Sequence, residues 1–131
     1  MFDIEMAIQL PTGFLPRAVV ADDDSRFRLE LTWMLKARGY EVTEAADGYE
    51  ALTQIGRLQA ALAVMRLRMD VYDGERAAMV AHILYPRMRI ILTSGLTEQS
   101  AEACSVTCDA FPLLHRPIDP ALLDRCLCLE H

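Results

Sequence analysis

Short unbroken apolar runs alternate along this chain with stretches in which apolar residues return every third or fourth position. Ala18-Val19-Val20-Ala21 is the first run, and it suits a strand covered on both faces. Phe27, Leu31, Met34 and Leu35 then recur at helical spacing, and Gly39 stops that helix. Residues Tyr40 to Glu44 predict a second strand, Asp47-Gly48 a turn, and Ala51, Leu52 and Ile55 a short helix before Gly56. Residues 60–66 predict the third strand, 75–84 a helix closed by Tyr85-Pro86, and Met88 to Leu92 the fourth strand. A weak helix is expected over residues 97–105, where serine, threonine and cysteine lower the propensity. Residues 110–115 predict a fifth strand. Asp119 as N-cap with Pro120 at the first position opens a last helix, with Leu122, Leu123, Cys126 and Leu127 as its buried stripe.

Strands that alternate with helices pair in parallel through right-handed crossovers, so this order predicts a doubly wound five-stranded α/β sheet. Ligands of such sheets sit beyond the carboxyl ends of the strands, beside a switch in strand order. Asp22, Asp23, Arg66 and Thr93 all fall at such ends, and that convergence marks a candidate site. Residues 1–16 carry Pro11, Gly13 and Pro16 with no sustained period and read as an N-terminal extension to one domain over 17–128. The final residues 129–131, Leu129-Glu130-His131, look like the stub of an expression tag.

Composition narrows the function classes. A formal charge of -6 argues against broad binding to nucleic acid or to anionic membranes. No apolar stretch has the length of a membrane span, and no basic region precedes an apolar one at the N-terminus, so the expected compartment is the cytoplasm. Cys104, Cys108, Cys126 and Cys128 crowd the last third of the chain. Cys104 and Cys108 stand four apart and with His115 could make a metal site, but small buried thiols are the simpler reading of such weak spacing. The chain has no Gly-x-Ser-x-Gly elbow and no glycine-rich phosphate loop, which leaves a small α/β enzyme poorly supported.

The ordered segments together resemble the receiver domains of two-component response regulators, over residues 17–128. Val19 to Asp24 resembles that family's first strand with its acidic pair, and Gly39 to Leu52 its second strand, turn and helix. Arg66 to Gly74 is similar to the segment that carries the phospho-acceptor aspartate, Leu92 to Gly95 to the fourth strand with its switch hydroxyl, and His115 to Pro120 to the Lys-Pro segment. The resemblance implies a flavodoxin-like three-layer sandwich and a phosphorelay role in which Mg2+ sits on Asp22 and Asp23. It implies protein partners, a histidine kinase or another regulator, met through the fourth and fifth helices and the strand between them, with a homodimer as one form. No activity as an enzyme is implied.

Three departures stand out: Arg66 takes the acceptor position, Arg116 the lysine position, and Asp70 the place of a loop proline. Leu113 also stands where the family often has a switch aromatic, with Phe111 two residues earlier. An acyl phosphate needs a carboxylate nucleophile, which a guanidinium cannot supply. Two aspartates and an acceptor carry formally -3, whereas Asp22, Asp23 and Arg66 sum to -1, so Mg2+ affinity is expected to be weak or lost.

Arg66 is expected to reach Asp22 and Asp23 through bidentate hydrogen bonds, standing in for the cation and locking one conformation. The plainer reading is a decayed site with a partly solvated arginine. Asp24 reads as a helix N-cap, and Thr93 as a hydrogen-bonding strand terminus. Asp70 or Asp73 serving as a displaced acceptor with Mg2+ is the alternative in which the site still works. Arg66 and Arg116 gripping an anion is a further one, and His82 and His115 read as surface or satisfied groups.

Overall fold

The computed structural model describes residues 15–95 and 111–128. In chain order these form β1 (Arg17–Ala21), α1 (Ser25–Lys36), β2 (Glu41–Ala45), α2 (Gly48–Leu58), β3 (Leu62–Arg66), α3 (Gly74–Leu84), β4 (Arg89–Ser94), β5 (Leu113–His115) and α4 (Pro120–Cys128). The expected helix over 97–105, the N-terminal extension to residue 14, Cys104 and Cys108, and the terminal tripeptide lie outside the described residues.

All neighbouring strands pair in parallel in the order β2-β1-β3-β4-β5. The apolar runs are buried as the unbroken pattern requires: Val19, Val20 and Val64 are 0% exposed. Each such side chain contributes about 1.5–3 kcal/mol by leaving water. Phe27, Leu31 and Leu35 of α1 and Leu123 of α4 cover one face of the sheet, joined there by Val20 and Val64. Ala51 and Ile55 of α2 and Ala77, Ala78 and Ala81 of α3 cover the other, against Val19, Ala63 and Met65. The result is the three-layer flavodoxin-like sandwich.

Several local expectations need correction. Asp47-Gly48 is no free turn; Asp47 is the N-cap of α2, its carboxylate accepting from the Glu50 amide at 2.8 Å. The same helix runs through Gly56 to Leu58 and closes on Gln59, whose left-handed φ of 53° ends it. Gly56 is tolerated inside because the hydroxyl of Tyr85 fills its surface, 2.7 Å from where a Cβ would stand. β5 is shorter than expected, starting at Leu113, since Pro112 has no amide and contributes only its carbonyl, which accepts from Leu92 at 2.9 Å. β4 runs on past Leu92 to Thr93 and Ser94. The stripe of α4 holds Leu123 fully buried and Cys126 and Leu127 half-buried, but Leu122 is 43% exposed and belongs to the outer surface.

The strand order sets the site. β1 lies between β2 and β3, so successive crossovers leave in opposite directions from its carboxyl end. The register pairs Ala21 with Met65 and Arg66 with Thr93, which brings the residues after β1 beside the last residue of β3 and the end of β4.

Candidate functional site

Asp22, Asp23 and Asp24 leave β1 as a run of like charges, and the backbone gives each a different environment. Asp22 is 0% exposed. Its amide donates to Ala45 O at 3.1 Å, finishing the β1–β2 ladder. Its Oδ1 accepts from the Asp24 amide at 2.8 Å, while Oδ2 is buried with no hydrogen-bond partner among the described residues. Burial pushes this carboxyl above its ordinary 3.8, against the lowering pull of the Asp24 amide, Arg66 and Arg116. Asp24 caps α1, taking the amides of Arg26 at 3.1 Å and Phe27 at 3.3 Å. The Phe27 amide first, then that of Arg26 and the guanidinium of Arg116, hold its carboxyl below the ordinary value.

Asp23 is the carboxylate that meets Arg66. Arg66 Nη1 donates to Asp23 Oδ1 at 3.1 Å and lies 3.8 Å from Asp22 Oδ1. This is one nitrogen bridging two carboxylates, where a bidentate pair was expected. Its side chain is 19% exposed, so the guanidinium keeps some contact with solvent while it is paired. The other oxygen of Asp23 accepts from the Asp70 amide at 3.2 Å.

Arg116 follows β5, its amide donating to Ser94 O at 2.9 Å. Its guanidinium lies 4.1 Å over the ring of Phe27, 3.4 Å from Asp24 Oδ2 and 4.0 Å from Asp22 Oδ1. Arg116 therefore leans on α1 and its cap. Thr93 hydrogen-bonds through its carbonyl, which accepts from Leu67 at 2.7 Å, whereas its buried hydroxyl has no partner among the described residues.

Of the two candidates for a displaced acceptor, Asp73 spends its oxygens on the loop after β3: Oδ1 accepts from the Met69 amide at 3.0 Å and Oδ2 lies 3.4 Å from Arg68 Nη1. Asp70 is exposed and is held by its backbone amide. His115 Nδ1 hydrogen-bonds Ser94 Oγ, and His82 stands edge-on to Phe111 with ring centroids 5.6 Å apart. Leu113 is partly buried against the same layer as Phe111. Cys126 is half-buried and Cys128 exposed.

Two contributors escaped the sequence reading. Gly95 leaves room for the arginine, since a Cβ there would come within 3.1 Å of Arg66 Nη2. Arg28, on α1, donates to Asp22 O at 2.6 Å and to Glu44 Oε1 at 2.8 Å, tying the β1 turn to β2. Gly95 ends a segment that the sequence singles out, but its contact with Arg66, like that of Arg28 with Asp22, is found only once the strand ends are side by side. A groove of about 500 Å³ opens over this cluster, lined by Asp24, Phe27, Glu30, Arg66, Arg116 and Pro117 among others.

Magnesium takes near-octahedral hard oxygens. The donors here are two carboxylates whose Oδ1 atoms already face a guanidinium, and no described group of three or more acidic, histidine or cysteine side chains is arranged to hold a metal.

The family profile described as response regulator receiver domain matches residues 18–127. Over 63 residues the chain is 36% identical to the transcriptional regulatory protein PdtaR of Mycobacterium tuberculosis, covering 47% of this chain and 31% of that protein. It is 27% identical over 101 residues to the transcriptional regulatory protein GlrR of Escherichia coli, covering 77% of this chain and 23% of that one. The chain thus spans under a third of these curated relatives. A CheY-like response regulator receiver domain protein from Methanospirillum hungatei superposes with a TM-score of 0.74 at 28% identity, over 86% of this chain and 90% of that one.

Proposed function

Because the chain belongs to the family of response regulator receiver domains, we propose that it is a regulatory module that works through protein contacts without accepting a phosphoryl group at position 66. The observation that carries this reading is Arg66 itself, held against Asp23 at the end of β3. Phosphoryl acceptance on a receiver needs a carboxylate oxygen to attack phosphorus and form an acyl phosphate. The guanidinium is cationic at physiological pH and has no lone pair to offer. It also supplies positive charge where Mg2+ would otherwise be drawn, so Asp22 and Asp23 bind the ion weakly or not at all. The partners are proteins, a histidine kinase or another regulator, or a second copy of this chain, and the compartment is the cytoplasm.

Incubation with Mg2+ and a small phosphodonor, read by intact mass, tests this. The unchanged mass is expected. A stable adduct of one phosphoryl group, mapped by fragmentation to Asp70 or Asp73, would establish the displaced-acceptor alternative instead.

A further inference from the structure

We infer that Asp23 is a positioning residue that couples Arg66 to the β3–α3 loop, so that a cation of the chain itself, and not a dissolved divalent ion, holds that loop in place. The inference deepens the reading above, since it concerns the same site and rests on a guanidinium standing where a carboxylate would.

The loop between Leu67 and Asp73 is braced in three parts, one of them on α2, where the Gly48 amide donates to Tyr72 O at 2.9 Å. Its return toward α3 is tied within itself: Met69 donates to Asp73, Arg68 reaches Glu75 Oε1 at 2.8 Å, and the Glu75 amide donates to Leu67 O at 3.3 Å. Those contacts shape the loop but leave its outer turn unattached to β1. The attachment at Asp70 is through Asp23, whose Oδ2 takes the Asp70 amide while Oδ1 takes Arg66.

Charge explains why the two contacts depend on each other. Asp22 and Asp23 are adjacent carboxylates, and Asp22 is fully buried. With a third carboxylate at position 66, Asp23 would be repelled from both neighbours unless a cation entered from solution. Arg66 Nη1, within 3.1 Å of Asp23 and 3.8 Å of Asp22, supplies that charge permanently. Asp23 is thereby aimed between β3 and the loop. Close behind, Gly74 lets the start of α3 press on the end of β3, a Cβ there falling 2.0 Å from Arg66 O. The loop is thus seated on the residue whose side chain organises it.

The test is amide hydrogen exchange on the full chain, with MgCl2 as the probe. In the wild type, exchange at Asp70 should be the same with and without millimolar MgCl2. Asp23→Ala should speed exchange at Asp70 by about tenfold, with Val20 and Val64 in the ladder unchanged as the check on folding. Arg66→Lys, which keeps a cation, should retain most of the protection. Arg66→Asp should lose it in metal-free buffer and regain it on adding MgCl2, an ion dependence that a purely structural Asp23 would not create. An unchanged Asp70 amide in Asp23→Ala, a wild-type amide slowed by MgCl2, or a folded Arg66→Asp indifferent to it would each overturn the inference. A phosphoryl adduct on the wild type would end the previous reading and leave this one standing.

Discussion

Arg66 and Arg116 carry the same charge, approach the same buried carboxylate at 3.8 Å and 4.0 Å, and yet are held by different things. Arg66 is anchored on Asp23 and, through it, on the β3–α3 loop. Arg116 is anchored on the Phe27 ring and the N-cap of α1. Asp22, the one carboxylate they share, hydrogen-bonds neither; its bond is to the Asp24 amide. A run of three aspartates therefore divides into three tasks. The first is the buried charge that both arginines offset, the second is a bridge to the loop, and the third is a helix cap. Two cations at one site need not be redundant when their anchors differ.

Removing each charge in turn tests that division. Arg66→Leu should cost about 2–3 kcal/mol in urea unfolding, because the fully buried Asp22 loses its nearer cation and Asp22 and Asp23 are left to repel. Arg116→Leu should cost less, about 1 kcal/mol, since the leucine keeps contact with Phe27 and only the cation–π and outer ion-pair terms go. The double variant should lose more than the sum, because Asp22 then has neither guanidinium. An equal cost for the two single changes, or strict additivity, would collapse the distinction.

The smallest expected effect is in pH. Asp24, lowered, contributes stability that is fully present above 3.8 and is lost as the pH falls through its folded value below that. Asp22, raised, has the opposite sign: its contribution is full below 3.8 and is lost as the pH rises through its folded value above that. A carboxyl-carbon NMR titration should find Asp24 titrating below 3.8 and Asp22 above it. Both groups titrating together would show that burial does not separate them.

Much of this was legible in the chain. Ala18 to Ala21 and Leu62 to Met65 are unbroken apolar runs because both faces of a central parallel strand are covered, so burial on two sides could be read from composition alone. That position 66 carries a guanidinium and no carboxylate is likewise read from the chain alone. Local conformation that depends on a distant residue was harder to read. Gly56 looked like a helix end, and only the Tyr85 hydroxyl, brought across from the end of α3, shows why the helix continues. Leu122 matched a helical stripe, but the helix turns Leu123 into the core in its place, and Leu122 stays exposed.

The sequence by itself determined the element types of the described strands and helices, the parallel sheet and the cationic side chain at position 66, because periodicity and side-chain identity are properties of the chain taken in order. Only the tertiary structure decided which carboxylate answers which arginine. Asp23 and Arg66 are 43 positions apart, and Arg116 and Asp24 are 92. Their pairing follows from the strand order that sets β1 beside β3, from the space left at Gly95 and from the ring of Phe27. Ionic contacts at this range depend on distances of a few ångströms, and those are fixed by packing.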